Sequence, residues 1–190
     1  MNHLLHQAIT GFAKSQSDKE AFRVNGEGLT YVELDEASNR VASWLVGKGV
    51  KKGDRVGLFL TKSLEQVVAL YGILKAGAAY VPIDPAAPAG RVQFIIEDCG
   101  IEVLVSEPSK MKFLRTHEFA GLRFVIGGDE EQGWGETEVV PWSAAVAQEA
   151  APLEVDILEG NLAYIIYTSG STGVPKGCLL YTSPSPRDRG

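Results

Sequence analysis

The sequence predicts an α/β fold, a mostly parallel sheet with helices on both faces, and three observations carry that expectation. Short apolar segments at residues 55–60, 79–83, 102–106, 123–126 and 162–167 have the length and β-branched or aromatic content of buried strands. Segments with helical spacing of apolar residues lie between them, so strand and helix alternate as a parallel sheet requires. Two helix-start signatures, Thr30 with Glu33 and Ser63 with Gln66, stand where the chain turns toward such segments. A chain of 190 residues, 45% hydrophobic, can bury a substantial core.

Taken in order, Leu4, Leu5, Ala8, Ile9 and Phe12 repeat at helical spacing and predict a surface-covering helix. Residues 21–24 and 29–31 flank Asn25-Gly26-Glu27-Gly28 and read as a hairpin. The Thr30/Glu33 capping box then opens a helix from Tyr31 to about Val46, with Leu34, Ala37, Val41, Trp44 and Leu45 on one face and Gly47 and Gly49 ending it. After the strand at 55–60 comes a helix carrying Val67, Val68, Leu70, Tyr71, Ile73 and Leu74, stopped by Gly77. The strand at 79–83 closes on Asp84-Pro85-Ala-Ala-Pro88, a run that neither a helix nor a central strand could cross. A helix from Arg91 to Asp98, the strand at 102–106, a short helix from Ser109 to about Phe119 and the strand at 123–126 follow. Residues 127–135 read as an acidic glycine-rich loop, residues 142 to about 150 as a short helix, and residues 152–161 as a return to the sheet.

Composition removes several functions. A net charge of −6 leaves no basic stripe for a nucleic-acid groove. No apolar run approaches the roughly 20 residues of a membrane span, and the N-terminus lacks a signal-peptide core. Cys99 and Cys178 give no disulfide framework or metal pair, and His3, His6 and His117 lie near neither in sequence, which fits a reducing cytoplasm.

One stretch spells out a chemistry. The apolar run Leu162 to Tyr167 passes directly into Thr168-Ser-Gly-Ser-Thr-Gly-Val-Pro-Lys-Gly177. Glycines 170, 173 and 177 let backbone N–H groups approach an anion, Thr168, Ser169, Ser171 and Thr172 add hydroxyls, and Lys176 adds positive charge, so the expected ligand is a nucleoside triphosphate. In an open parallel sheet this loop would lie beyond the carboxyl ends of the strands, where ligands sit. The loop is not a Walker A motif: Gly170 stands six residues before Lys176, but Pro175 replaces the glycine before the lysine and Gly177 the hydroxyl residue after it. A dinucleotide-binding G-x-G-x-x-G is absent as well, since Gly26 and Gly28 lack the third glycine.

Other chemistry-bearing residues have simpler readings. Cys99 is expected to be a buried structural thiol, Asp84 a turn-capping carboxylate, and Asp129, Glu130 and Glu131 a solvated run of acids. Trp44, Tyr71 and Tyr80 read as core aromatics.

Tyr164-x-x-Tyr167-Thr-Ser-Gly-Ser-Thr-Gly173-x-Pro-Lys-Gly177 resembles the signature loop of the AMP-forming, adenylate-forming enzyme superfamily, which includes acyl-CoA synthetases, the adenylation domains of nonribosomal peptide synthetases, and luciferases. Two further matches occur in that family's order, Leu29-Thr-Tyr-Val-Glu-Leu34 and Leu74-Lys-Ala-Gly-Ala-Ala-Tyr-Val-Pro-Ile-Asp-Pro85. The resemblance implies ATP-dependent activation of a carboxylic acid (fatty, aryl or amino acid) to an acyl-adenylate, then transfer to a thiol of coenzyme A or a carrier-protein phosphopantetheine. It implies Mg²⁺ as cofactor beside ATP, with its ligand outside this sequence. It also assigns Thr168, Ser169, Gly170, Ser171, Thr172, Gly173 and Lys176 as triphosphate-contacting positions, Pro175 and Gly177 shaping the loop.

The resemblance covers residues 1–177, which are expected to form a partial N-terminal AMP-binding domain. Beyond Gly177 the family continues into a strand and a helix, whereas this sequence runs Cys178-Leu-Leu-Tyr-Thr-Ser-Pro and on to Gly190 with two Ser-Pro steps. Residues 178–190 are therefore expected to be disordered and foreign to the domain. The family's adenine, ribose, Mg²⁺ and acyl subsites lie downstream, so the 190 residues alone are expected to be unable to turn over. Within the family an amino-acid adenylation domain and an acyl-CoA ligase are hard to separate: the wording of Leu74 to Pro85 leans toward amino-acid adenylation, and a start at Met1 with no upstream domain leans toward a free-standing ligase. A non-catalytic nucleotide-binding or interaction module is the alternative.

Overall fold

A computed structural model describes residues 4–128, 135–153, 155–168 and 176–181. Helix α1 (Leu5–Ser15) leads into the hairpin β1 (Glu20–Val24) and β2 (Glu27–Thr30). Val24 pairs with Glu27 across a two-residue turn in which Asn25 and Gly26 have φ of 52° and 90°. This is the left-handed pair of backbone conformations that a tight hairpin turn demands and that Asn-Gly supplies. At Thr30 the chain enters α2 (Tyr31–Gly47) through a complete capping box: Thr30 Oγ1 accepts from the Glu33 N–H at 3.3 Å, and the Glu33 carboxylate accepts from the Thr30 N–H at 2.9 Å.

The main sheet is built from β3 (Arg55–Phe59), β4 (Ala79–Pro82), β5 (Val103–Ser106), β6 (Phe124–Gly128), β7 (Glu138–Pro141), β8 (Leu162–Thr168) and β9 (Lys176–Tyr181). Their spatial order is β7-β6-β5-β3-β4-β8-β9, and every neighbouring pair is parallel except β8 with β9. The connecting helices are α3 (Leu64–Lys75), α4 (Ala89–Asp98), α5 (Pro108–Arg115) and α6 (Trp142–Ala145).

Helices cover both faces, as the sequence implies. Alternate strand residues Val56, Leu58, Val103, Val105 and Ile126 pack with Leu34, Val41, Leu45 and Ile73 of α2 and α3. The intervening residues Phe59, Val81, Leu104, Val125 and Ile165 pack with Val92, Ile95 and Ile96 of α4 and Met111 and Leu114 of α5. Strands buried on both sides have no polar face to alternate with, which is why they read as continuous apolar runs. Among the described residues no helix is long and apolar enough to cross a membrane.

Three expectations are corrected. Strand β7 lies between the loop expected at 127–135 and the helix expected from 142, where the sequence predicts no element; only Val139 and Val140 of its four residues are buried, too short a signal to stand out beside Pro141. Helix α6 is a single turn rather than reaching 150, because the chain turns away after Ala145 and the Ala150 carbonyl accepts from the Asn39 side chain at 3.4 Å. Residues 178–181, expected to be disordered, continue β9 and pair with Leu162 to Ile166, so backbone hydrogen bonding rather than burial recruits them. In addition, α5 ends at Arg115 instead of Phe119, since Thr116 Oγ1 donates to the Phe113 carbonyl at 2.8 Å and closes the helix.

Candidate functional site

Strand β8 runs parallel to β4 and carries Thr168 to the carboxyl-terminal edge of the sheet. The chain returns antiparallel as β9, with Lys176 directly opposite Thr168. Cross-strand partners project from the same face, so the Thr168 hydroxyl and the Lys176 ammonium flank the mouth of the loop together, and both residues are exposed. Ser169, Gly170, Ser171, Thr172 and Gly173, with Pro175, lie outside the described residues. Of the seven positions expected to contact a triphosphate, the structure thus places the first and the last, facing each other at the sheet edge where ligands bind in such folds.

What holds β8 in place is largely aromatic. Ala163 and Ile165 are buried, and the Tyr164 ring stacks on Tyr80 of β4 with centroids 5.1 Å apart and planes at 15°. Burial, with smaller contributions from Tyr164 and Tyr71, pushes the Tyr80 phenol up to about 12. This stack joins the Leu74–Pro85 segment to the loop segment.

A second link joins Leu74–Pro85 to α2, the helix that Leu29–Leu34 opens. Lys75 Nζ donates to Asp35 Oδ1 at 2.7 Å, to the Asp35 carbonyl at 2.9 Å and to Asn39 Oδ1 at 2.7 Å. Burial lowers the Lys75 ammonium's pKa, partly offset by the hydrogen bond and charge of Asp35. His6 of α1 packs beside this pair, its Nδ1 buried without a hydrogen-bond partner among the described residues. Its pKa is lowered to about 4, first by burial and then by the Lys75 charge, with Asp35 acting the other way. The three sequence segments are therefore one connected scaffold behind the loop. Sequence alone does not reveal the Lys75–Asp35 pair, whose members stand 40 residues apart on two helices.

The remaining candidates resolve simply. Cys99 is buried, and burial pushes its thiol up; its Sγ lies 3.1 Å from the Tyr167 hydroxyl. Asp84 Oδ1 accepts from the Ala86 N–H at 2.8 Å, the turn-capping role its place before Pro85 implies. Trp44 is buried, and Tyr71 and Tyr80 pack against the core on the same face. Asp129, Glu130 and Glu131 lie outside the described residues. Among the described residues no cluster of three or more His, Cys, Asp or Glu is placed to hold a metal ion.

Comparison with known families gives a match to the family described as AMP-binding enzyme over residues 9–183. The chain belongs to the AMP-binding enzyme family. Bacitracin synthase 3 of Bacillus licheniformis is 39% identical over 168 residues, 88% of this chain and 2% of that protein. N-(5-amino-5-carboxypentanoyl)-L-cysteinyl-D-valine synthase of Streptomyces clavuligerus is 38% identical, over 93% of this chain and 22% of its own length. The AMP-binding chain thus spans a small part of each of these relatives.

Solved AMP-binding relatives carry the same architecture. The AMPPNP-bound form of the nonribosomal peptide synthetase FmoA3 aligns with a TM-score of 0.76 at 31% identity, covering 95% of this chain and 17% of that one. The inhibitor-bound N-terminal domain of FACL13 from Mycobacterium tuberculosis aligns with a TM-score of 0.83 at 25% identity, covering 95% and 44%. The anthranilate CoA ligase AuaEII, at 23% identity and a TM-score of 0.84, shares the fold.

Proposed function

We propose that this chain is the part of an adenylate-forming ligase that grips the triphosphate of ATP, with Thr168, Ser169, Gly170, Ser171, Thr172, Gly173 and Lys176 as the contacting positions. The observation that carries the reading is the apposition of Thr168 and Lys176 at the carboxyl edge of the sheet, on the two strand ends that bracket the glycine- and hydroxyl-rich loop. In the reaction a carboxylate oxygen attacks the α-phosphorus, the bond to the bridging oxygen breaks, and pyrophosphate leaves with its negative charge. Oriented N–H groups, hydroxyls and a cation lower the barrier by stabilising the charge that develops on that leaving group. Lys176 and the loop hydroxyls are the groups this chain would bring. We propose that Mg²⁺ accompanies the ATP and would supply further positive charge to the same phosphates.

The acid is proposed to be an amino acid, and the acceptor a carrier-protein phosphopantetheine thiol. The support is that peptide synthases match at 35–39% identity, and that among solved structures the nonribosomal peptide synthetase FmoA3 aligns at 31–33% identity, against 23% for the anthranilate CoA ligase AuaEII and 24% for a fatty acyl CoA synthetase. Because the chain spans 22% or less of these curated relatives, we propose that its 190 residues bind ATP without acid-dependent ATP–pyrophosphate exchange.

Titration with ATP tests the reading. The wild-type chain should bind, and Lys176→Ala should weaken binding by roughly fivefold, the size of one exposed charge-assisted contact. Equal affinity of the two proteins would remove Lys176 from the site, and acid-dependent exchange by the chain alone would show that it carries a complete active site.

A further inference from the structure

Tyr167 is the last residue before Thr168, and its side chain reaches both α4 and β9. Its hydroxyl donates to the Asp98 carboxylate at the end of α4 and lies 3.1 Å from the Cys99 sulfur. Its ring meets Phe94 of α4 edge-on, with centroids 6.2 Å apart and planes at 89°. On the opposite strand its register partner is Gly177, the residue after Lys176. A Cβ built on Gly177 would fall 3.3 Å from Cζ of Tyr167 and 3.2 Å from Cγ2 of Ile165, so the glycine lets β9 lie close to the ring without pushing these side chains aside.

We infer that Tyr167 is a positioning residue for the phosphate loop. Its hydroxyl ties the exit of β8 to the carboxyl end of α4, and its ring seats Gly177, so that Thr168 and Lys176 are held at a fixed separation. The inference rests on the triphosphate reading of these two residues. Burial, followed by the hydrogen bond to Asp98, keeps the phenol's pKa well above its ordinary value, and the group stays a donor throughout the physiological range. Strand β9 has little burial of its own, since five of its six residues are exposed. Its placement therefore depends on what β8 offers it, and a one-point clamp at the loop mouth is where that dependence is greatest.

Hydrogen exchange of the full chain, resolved by peptide, tests the clamp alongside ATP titration. Tyr167→Phe keeps the ring and removes the hydroxyl. It should speed exchange of amides in 162–168 and 176–181 by roughly three- to tenfold, the worth of one partly exposed hydrogen bond, and leave β3 and β5 unchanged. Asp98→Ala should reproduce the effect, and Asp98→Asn, whose amide oxygen still accepts from the phenol, should restore near wild-type exchange. The dissociation constant for ATP should rise with exchange in Tyr167→Phe and Asp98→Ala. Unchanged exchange at 162–181, or acceleration spread evenly over the chain, would overturn the clamp. Faster local exchange with unaltered ATP affinity would overturn its role in positioning the loop. If the wild-type chain binds no ATP, the triphosphate reading fails, and with it the positioning role, while the exchange data still decide whether the clamp exists.

Discussion

Replacing Lys75 with methionine should destabilise the fold by about 3 kcal/mol, the lower end of what removing one member of a buried ion pair costs. The Lys75 side chain is 7% exposed and that of Asp35 17%. All three ammonium donors are engaged, on two Asp35 oxygens and one Asn39 oxygen. Methionine keeps the apolar stem, so the loss isolates the charge and its hydrogen bonds from the packing. Burial lowers the Lys75 pKa against the opposing pull of Asp35, so desolvation is the larger influence on the ammonium. The cost of the single change comes from acceptors that lose the ammonium while still shielded from water, of which the Asp35 carboxylate is the most expensive. Asp35 also accepts from Thr10 Oγ1 at 2.7 Å, but Thr10 is only partly buried and can turn to water. The double variant Asp35→Leu/Lys75→Met should therefore recover to within about 1 kcal/mol of wild type, since apolar replacement of both charges is commonly neutral. Urea unfolding of the four proteins in a double-mutant cycle measures both numbers. A Lys75→Met midpoint indistinguishable from wild type, or a double variant no better than the single, would refute the reasoning.

Two further outcomes follow from the same scaffold. His6 has a folded-state pKa of about 4 against 6.5 for the free side chain, so the unfolded chain takes up the proton first. Its contribution is intact above about pH 6.5 and is lost as pH falls toward 4, and His6→Gln should flatten the stability profile in that window. A His6 resonance, assigned by its loss in His6→Gln, that titrates near 6.5 in the folded chain would contradict this, and Lys75→Met should move the midpoint upward by removing the second-largest cause of the shift. Gly72→Ala on α3 would set a Cβ 2.7 Å from Cγ1 of Val41 and 3.1 Å from the Ser38 carbonyl oxygen of α2. Overpacking of about 1–3 kcal/mol exceeds the roughly 1 kcal/mol gain in helix propensity, so the variant should melt lower; a higher melting temperature would refute the close approach of the two helices.

Most of the fold was legible because its signals are local. Thr30 and Glu33 cap α2 across three residues, Asn25-Gly26 makes the hairpin turn, and the doubly buried strands announce themselves as apolar runs such as Val103 to Val105. What escaped depends on partners far along the chain. Strand β9 is held by pairing with β8 and leaves Leu179 and Tyr181 exposed, so its sequence reads as a tail. Asp35 and Lys75, or Asp98 and Tyr167, look like ordinary surface charges and aromatics until the elements that carry them are packed, since their separations of 40 and 69 residues leave no periodicity to read. At the site, residue types and order pointed to a bound phosphate, and the structure adds the apposition of the loop's two ends.

An ATP titration of the isotopically labelled chain, followed through its amide resonances with adenosine as the control, tests most directly whether the 168–177 loop grips a triphosphate. ATP should shift resonances clustered at Thr168, Lys176 and Gly177, Lys176→Ala should weaken the response, and adenosine should leave these amides unmoved. Shifts located elsewhere on the sheet, or an equal response to adenosine, would contradict that grip.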